Sequence, residues 1–172
     1  MPVVADSSVL IGLVRIARLG LLRKLYRGVL IPQSVNDEVV VEGKRLHKAG
    51  VQEIETAIKA GWIKVVSLAE KQANVAVTYR ARGGIGTGEA EAIALAKSRR
   101  LPVILDDRYA RELANAVGLE FQGTGAVLLE AYLKRLLTKK EFMESLRDLG
   151  KVMWLSPDVV AELLRLAEEE DT

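Results

Sequence analysis

Cysteine is absent from the 172 residues, which rules out disulfides, zinc–thiolate centres and thiol nucleophiles and suits a reducing compartment such as the cytoplasm. Histidine occurs once, as His47 in the basic segment KRLHKAG. Acid–base chemistry built on imidazole would therefore rest on one side chain in a segment that reads as surface. No uncharged stretch is long enough to span a bilayer. The apolar start is interrupted by Asp6 and then by Arg15 and Arg18, unlike a secretory leader. An excess of one charge is also missing, since 25 Lys and Arg face 23 Asp and Glu. The pI of about 8.9 is thus a weak pointer to a polyanionic partner, and a mixed, solvated surface is the simpler reading. Internal repeats, low-complexity tracts and a clear linker are lacking.

What is present is an alternation of elements. PVVAD, GVLIP, WIKVVS, LPVIL and the weaker LEFQG read as short buried strands. Between them lie segments with apolar residues at helical spacing. The first helical segment, SSVLIGLVRIARLGLLRKLY, is expected to break near Gly20, and Pro32 with Ser34 is expected to open a helix through Glu42. A helix from about Lys44 to Ala60 should end at Gly61, EAEAIALAKSRR should be strongly helical, and Gly118 should close RYARELANAV. The remainder is helical, with Gly150 to Pro157 as the expected hinge and EEEDT as a solvated, frayed end. Strands alternating with helices imply an α/β fold, a three-layer α/β/α sandwich with a central parallel sheet and a C-terminal helical extension.

In an open parallel sheet the ligand site lies outside the carboxyl ends of the strands. Asp6 ends the first strand, and Asp106 and Asp107 end the fourth. On the helix opened by Pro32, Glu38 shares a face with Val35 and Val39, and Glu89 lies on the stripe of Ala92, Ile93 and Ala96. Glu91 points nearly the opposite way. Buried carboxylates need a cation or a proton, and a hard divalent ion such as Mg2+ or Mn2+ would serve all of them together. Two such ions about 4 Å apart suit phosphodiester hydrolysis by water.

Each residue also has a plainer reading. Asp6 caps the first helix as readily as it serves chemistry, and capping is the favoured reading of Asp107. Glu38 would be a surface acid if its face is misassigned, and Glu89 would serve the helix dipole alone. Four such coincidences at one sheet edge are less probable than one site. GGIGTGE lacks the spacing of a dinucleotide loop and is followed by no Walker lysine, so it reads as a flexible loop. The basic runs RKLYR, GKRLHK, KSRR and LKRLLTKK read mainly as solvated helix faces, some of them able to contact a phosphate backbone.

The segments VVADSSVLIGL, IPQSVNDEVV, GEAEAIALA and VILDDRYAR, in this order, together with GTGAVLLEA, resemble the PIN domain, the nuclease module of VapC-type toxins and RNA-processing endonucleases. The resemblance covers roughly Val3 to Leu137. It implies a PIN-like nuclease domain over residues 1–137, with residues 138–172 as a helical extension of the same unit that serves as a dimer contact, partner surface or lid. It further implies a metal-dependent ribonuclease whose catalytic and metal-binding acids are Asp6, Glu38, Glu89 and Asp106, with Asp107 and Glu91 as further candidate ligands. Glu89 stands where the family commonly has aspartate, and Ser8 would orient a water or phosphate. The implied cofactor is Mg2+ or Mn2+. The implied partners are RNA, a second copy of the chain in a homodimer and, for a toxin, a small antitoxin protein, with no membrane. The alternative is a catalytically weak module that binds RNA or protein. A phosphatase-like or receiver-like domain is disfavoured because no lysine follows VILDD until Lys134.

Overall fold

Val3, Val4 and Ala5 are all fully buried, although their side chains alternate between the two faces of a sheet. Their strand therefore lies at the centre of a parallel sheet covered on both sides. The computed structural model describes residues 1–170. The strands β1 (Val3–Ala5), β2 (Val29–Pro32), β3 (Ile63–Val66), β4 (Val103–Ile104) and β5 (Phe121–Gln122) form one all-parallel sheet in the order β3-β2-β1-β4-β5. All five apolar runs read as strands are strands. Parallel neighbours require crossovers, and helices supply them.

In chain order the helices are α1 (Ser7–Arg15), α2 (Gly20–Leu25), α3 (Gln33–Asn36), α4 (Gly43–Arg45), α5 (Val51–Lys59), α6 (Glu70–Ala81), α7 (Thr87–Arg99), α8 (Arg108–Ala116), α9 (Thr124–Leu133), α10 (Lys139–Val152) and α11 (Pro157–Glu170). A π-helical turn, Asp37–Glu42, joins α3 to α4. One face of the sheet, bearing Val3, Ala5, Val29, Ile31 and Ile63, packs against large aliphatic residues of α1, α2, α5 and α9. Phe142, Leu146, Leu149, Leu163 and Ala167, from α10 and α11, join that same core. The other face, bearing Val4, Val103 and Leu105, meets α6, α7 and α8 largely through alanine. In α7 the six residues Ala90, Ala92, Ile93, Ala94, Leu95 and Ala96 are all buried. A helix covered on nearly every side must be apolar nearly all round, and alanine lets it lie close to both the sheet and its neighbours. These layers make the expected three-layer α/β/α sandwich around a parallel sheet.

Several boundaries differ from the sequence reading. The first helical segment breaks earlier than Gly20, at Ala17, which takes a left-handed conformation (φ 55°), and Gly20 opens α2. The helix expected over Lys44 to Ala60 is interrupted between α4 and α5, where His47 (φ 50°) and Gly50 (φ 85°) turn the chain. A β-carbon at Gly50 would overlap Val14, so glycine is required there for space as well as conformation. In GGIGTGE only the first part is loop, because Thr87, Gly88 and Glu89 already belong to the first turn of α7. The link to α11, residues 153–156, falls inside the expected hinge from Gly150 to Pro157, but Gly150 itself belongs to α10. Of the expected frayed end EEEDT, the glutamates continue α11, while Asp171 and Thr172 lie outside the described residues. Among the described residues no helix is long and apolar enough to cross a membrane.

Candidate acidic site at the carboxyl edge of the sheet

β1 runs straight into Asp6, and the chain turns there into α1. Asp6 is 2% exposed. Its Oδ1 accepts the backbone N–H of Val9 at 3.1 Å and the hydroxyl of Ser8 at 2.8 Å, which caps the helix. Its Oδ2 is buried and has no hydrogen-bond partner among the described residues. One oxygen thus satisfies the fold while the other is left with an unmet acceptor. Burial first, and then the negative charge of Asp106, push the Asp6 carboxyl up to about 7 against the pull of Ser8 and Val9, with Glu89 adding a smaller upward push.

Asp106 follows β4 in the adjacent position of the sheet. Both of its oxygens are engaged by Thr124, the fully buried first residue of α9. The Thr124 backbone N–H donates to Oδ1 at 2.8 Å, and the Thr124 hydroxyl donates to Oδ2 at 2.6 Å. Ser8 Oγ stands between the two aspartates, at 2.8 Å from Asp6 Oδ1 and 3.4 Å from Asp106 Oδ2. A hydroxyl has one proton, so the shorter contact is its bond and the longer one measures how close the two acids are.

Glu38 reaches the start of α1 through Ser7, whose hydroxyl donates to Glu38 Oε2 at 2.6 Å. Val35 and Val39 of the sequence stripe are buried as expected, but Glu38 between them is exposed. The π-helical turn advances fewer degrees per residue than an α-helix, so Val39 and Val40 turn inward and Glu38 lies at the exposed surface with its tip on Ser7. Gly88, in the first turn of α7, makes room for this contact. A β-carbon there would stand 3.4 Å from Val35 Cγ2 and 3.7 Å from both Glu38 Oε2 and Ser7 Oγ.

Glu89 is half-buried one residue later, and its charge is felt at Asp6. Its carboxylate folds back over the start of its own helix, where a β-carbon on Gly86 would meet Oε2 at 2.6 Å. That position also suits the positive end of the helix dipole. Glu91 and Asp107 are directed elsewhere. Glu91 Oε2 accepts the hydroxyl of Ser34 across the contact between α3 and α7. Asp107 caps α8 by accepting the Ala110 N–H at 2.8 Å. His47 is exposed.

Ser7 and Thr124 are contributors that the sequence reading did not single out. Each is a buried hydroxyl residue that follows a strand-end turn and opens a helix. In the sequence that position is the available signal, but it is the same signal that an ordinary cap gives.

The donor set is all oxygen, with one buried acceptor unsatisfied, which suits a hard divalent cation. Among the described residues no three acid or imidazole groups converge closely enough to form a ready-made metal cage. The fit is accordingly to a hydrated ion that takes one or two carboxylates and keeps several waters.

In sequence, a family model, DUF3368, described as a PIN domain, matches residues 2–169. The match runs past Leu137, where the resemblance noted from the motifs stops, through α10 and into the last turn of α11. No curated protein matches the chain. The PIN domain is generally a nuclease fold, and nucleases of this kind typically use divalent metals. With a parallel five-stranded sheet, an acidic edge and a family match over almost its whole length, the chain belongs to the PIN domain family.

Proposed function

We propose that this protein is a divalent-cation-dependent endoribonuclease whose acids Asp6, Glu38, Glu89 and Asp106 surround the reacting phosphodiester. The observation that carries the reading is the buried Asp6 Oδ2 with no partner, next to Asp106 and Glu89. A fold leaves such an atom unsatisfied at appreciable cost, and a cation removes that cost. Asp6 and Asp106 would hold the ion most directly, with Glu38 and Glu89 at its periphery. Bound Mg2+ or Mn2+ would supply the positive charge that activates water and stabilises the departing oxygen.

The chain's own residues perform the remaining tasks. Thr124 locks the Asp106 carboxylate by two hydrogen bonds, Ser8 fixes Asp6 Oδ1 so that Oδ2 faces the site, and Ser7 holds the end of Glu38. The Asp6 carboxyl, poised near 7, can hold or release a proton at neutral pH before the cation arrives. No protein nucleophile is needed. In a cytoplasmic setting such a protein would act as the toxin of a toxin–antitoxin pair and as a homodimer.

End-labelled single-stranded RNA tests the reading directly, with wild type and Asp6→Asn each assayed in EDTA, magnesium and manganese. Cutting by wild type alone, and only with metal, supports it. Absence of cutting, or equal cutting by both, overturns it. A second reading, a catalytically weak module that binds RNA or protein, is favoured by the lack of three converging metal-binding groups among the described residues. Under that reading Asp6→Asn leaves RNA binding largely unchanged and wild type shows no turnover.

A further inference from the structure

Among the described residues two arginines, Arg18 and Arg111, are half-buried, and the others are exposed. Arg18 is held in place, its Nε donating to Ser145 Oγ at 2.9 Å. The Arg111 guanidinium has neither a hydrogen bond nor an ion pair with any described residue. A partly desolvated cation without a partner is costly. Its position shows what would offset that cost. A β-carbon on Gly123 would stand 3.6 Å from Arg111 Nη1 and 3.2 Å from Asp106 Oδ1. The guanidinium and the site carboxylate therefore border the same glycine, which precedes α9. Asp106 accepts two hydrogen bonds from Thr124, and its carboxylate keeps further lone pairs free on the side of the site.

In the first turn of α8, three residues after Asp106 in the chain, Tyr109 is 57% exposed. The root of its ring lies against Gly84. A β-carbon at Gly84 would meet Tyr109 Cγ at 3.0 Å, so the backbone of the loop before α7 supports the ring near its root. An aromatic ring supported on one side and open on the other is a platform for a flat apolar group.

We propose that Arg111 and Tyr109 form the strand-binding rim of the acidic site, with Arg111 taking a backbone phosphate and Tyr109 stacking an unpaired base of single-stranded RNA. A planar guanidinium with free donors matches phosphate oxygens. Exposed aromatic rings stack bases of a single strand, whereas a duplex keeps its bases stacked on one another. The inference takes the place of the reacting phosphate from the nuclease reading, but strand binding itself is measured without turnover.

The test is fluorescence anisotropy in EDTA, with a labelled single-stranded RNA and a blunt duplex of the same sequence, at several salt concentrations. Wild type, Tyr109→Ala, Tyr109→Phe, Arg111→Ala and Arg111→Lys are compared, with thermal melts to confirm folding. Stacking on one ring is worth a loss of about 10-fold for Tyr109→Ala on the single strand, with Tyr109→Phe close to wild type and duplex binding unmoved. Arg111→Ala should weaken binding across sequences and lower the salt slope by about one, with Arg111→Lys intermediate. Wild-type affinity for the single strand in Tyr109→Ala or Arg111→Ala overturns the proposal, as does an equal loss by Tyr109→Ala on the duplex. If the losses occur as expected but wild type cuts no RNA with metal, the nuclease reading fails and the binding rim stands.

Discussion

Asp6 and Asp107 perform the same local task in two parts of the molecule. Each follows a central strand and caps the next helix by accepting a backbone N–H three residues on. Asp107 is half-buried, and the contact it makes is the cap on α8. Asp6 sits where α1, α7 and the end of β4 crowd together, almost fully buried, with a second oxygen that finds no donor and two other acids close enough to raise its affinity for a proton. The same residue in the same cap geometry is structural in one place and chemically poised in the other. The difference comes from what the tertiary fold packs around the second carboxylate oxygen.

The largest break in that symmetry should appear in activity. Asp6→Asn keeps a good capping group but removes the charge, and RNA cleavage in magnesium should fall by more than about 100-fold, beyond the loss expected from disturbing an outer partner. Asp107→Asn should leave the rate within about twofold of wild type, since Asn caps a helix as well as Asp. Initial rates on labelled RNA measure both, and equal losses would dissolve the distinction.

Next in size is the response to pH in metal-free protein. Asp6 keeps its proton up to about 7 in the fold, against 3.8 for an ordinary aspartate, so between these values the native state holds a proton that the unfolded chain has released. Stability from this group is fully present below about 4 and is lost as pH rises through about 7. In EDTA, Asp6→Asn should therefore be more stable than wild type at pH 8 by a margin on the order of a few kcal/mol, shrinking toward zero near pH 4. Urea titrations at the two pH values check it. A wild-type protein equally stable at both would show that Asp6 is not strained.

Thr124→Ala should come third. It removes the hydroxyl that fixes Asp106 Oδ2 and should weaken Mn2+ binding or cleavage by about 10- to 100-fold, the usual effect of losing a group that orients a ligand. Calorimetry with Mn2+ alone separates binding from turnover. The smallest effect belongs to Asp107→Ala, which should cost about 1 kcal/mol of stability through the lost cap with catalysis intact, as read by thermal midpoint and rate together.

Much of the architecture is legible because its causes are local or periodic. Val3, Val4 and Ala5, or Val103 to Leu105, are runs without polar interruption, and a strand buried on both faces has to read that way. The α7 segment announces itself by the length and small size of its apolar residues. The departures arise where a long-range contact overrides local pattern. The break between α4 and α5 depends on Gly50 meeting Val14 of α1, a residue far back in the chain. The π-helical turn that carries Glu38 to Ser7 shifts every side chain after Asn36 relative to an α-helical wheel, so the inward stripe drawn from sequence misjudges the exposure of Glu38.

The residues of the candidate site divide in the same way. Position at the carboxyl end of a strand singles out Asp6 and Asp106 without a structure, and parallel topology brings them to one edge. Ser7 and Thr124 give no comparable signal. A hydroxyl at a helix start looks the same whether it caps its own helix or reaches a carboxylate on another element, as Ser7 does to Glu38 and Thr124 to Asp106.

From the sequence alone come the order of strands and helices, the oxygen-only chemistry available without cysteine and with a single histidine, and the acids placed at strand ends, because composition and periodicity act within a few residues. Tertiary structure alone decides that, among the described residues, Asp6 Oδ2 is left without a donor and Arg111 stays unpaired near Asp106. Burial and pairing depend on groups contributed by elements distant in the chain, and no local pattern encodes which of them arrive.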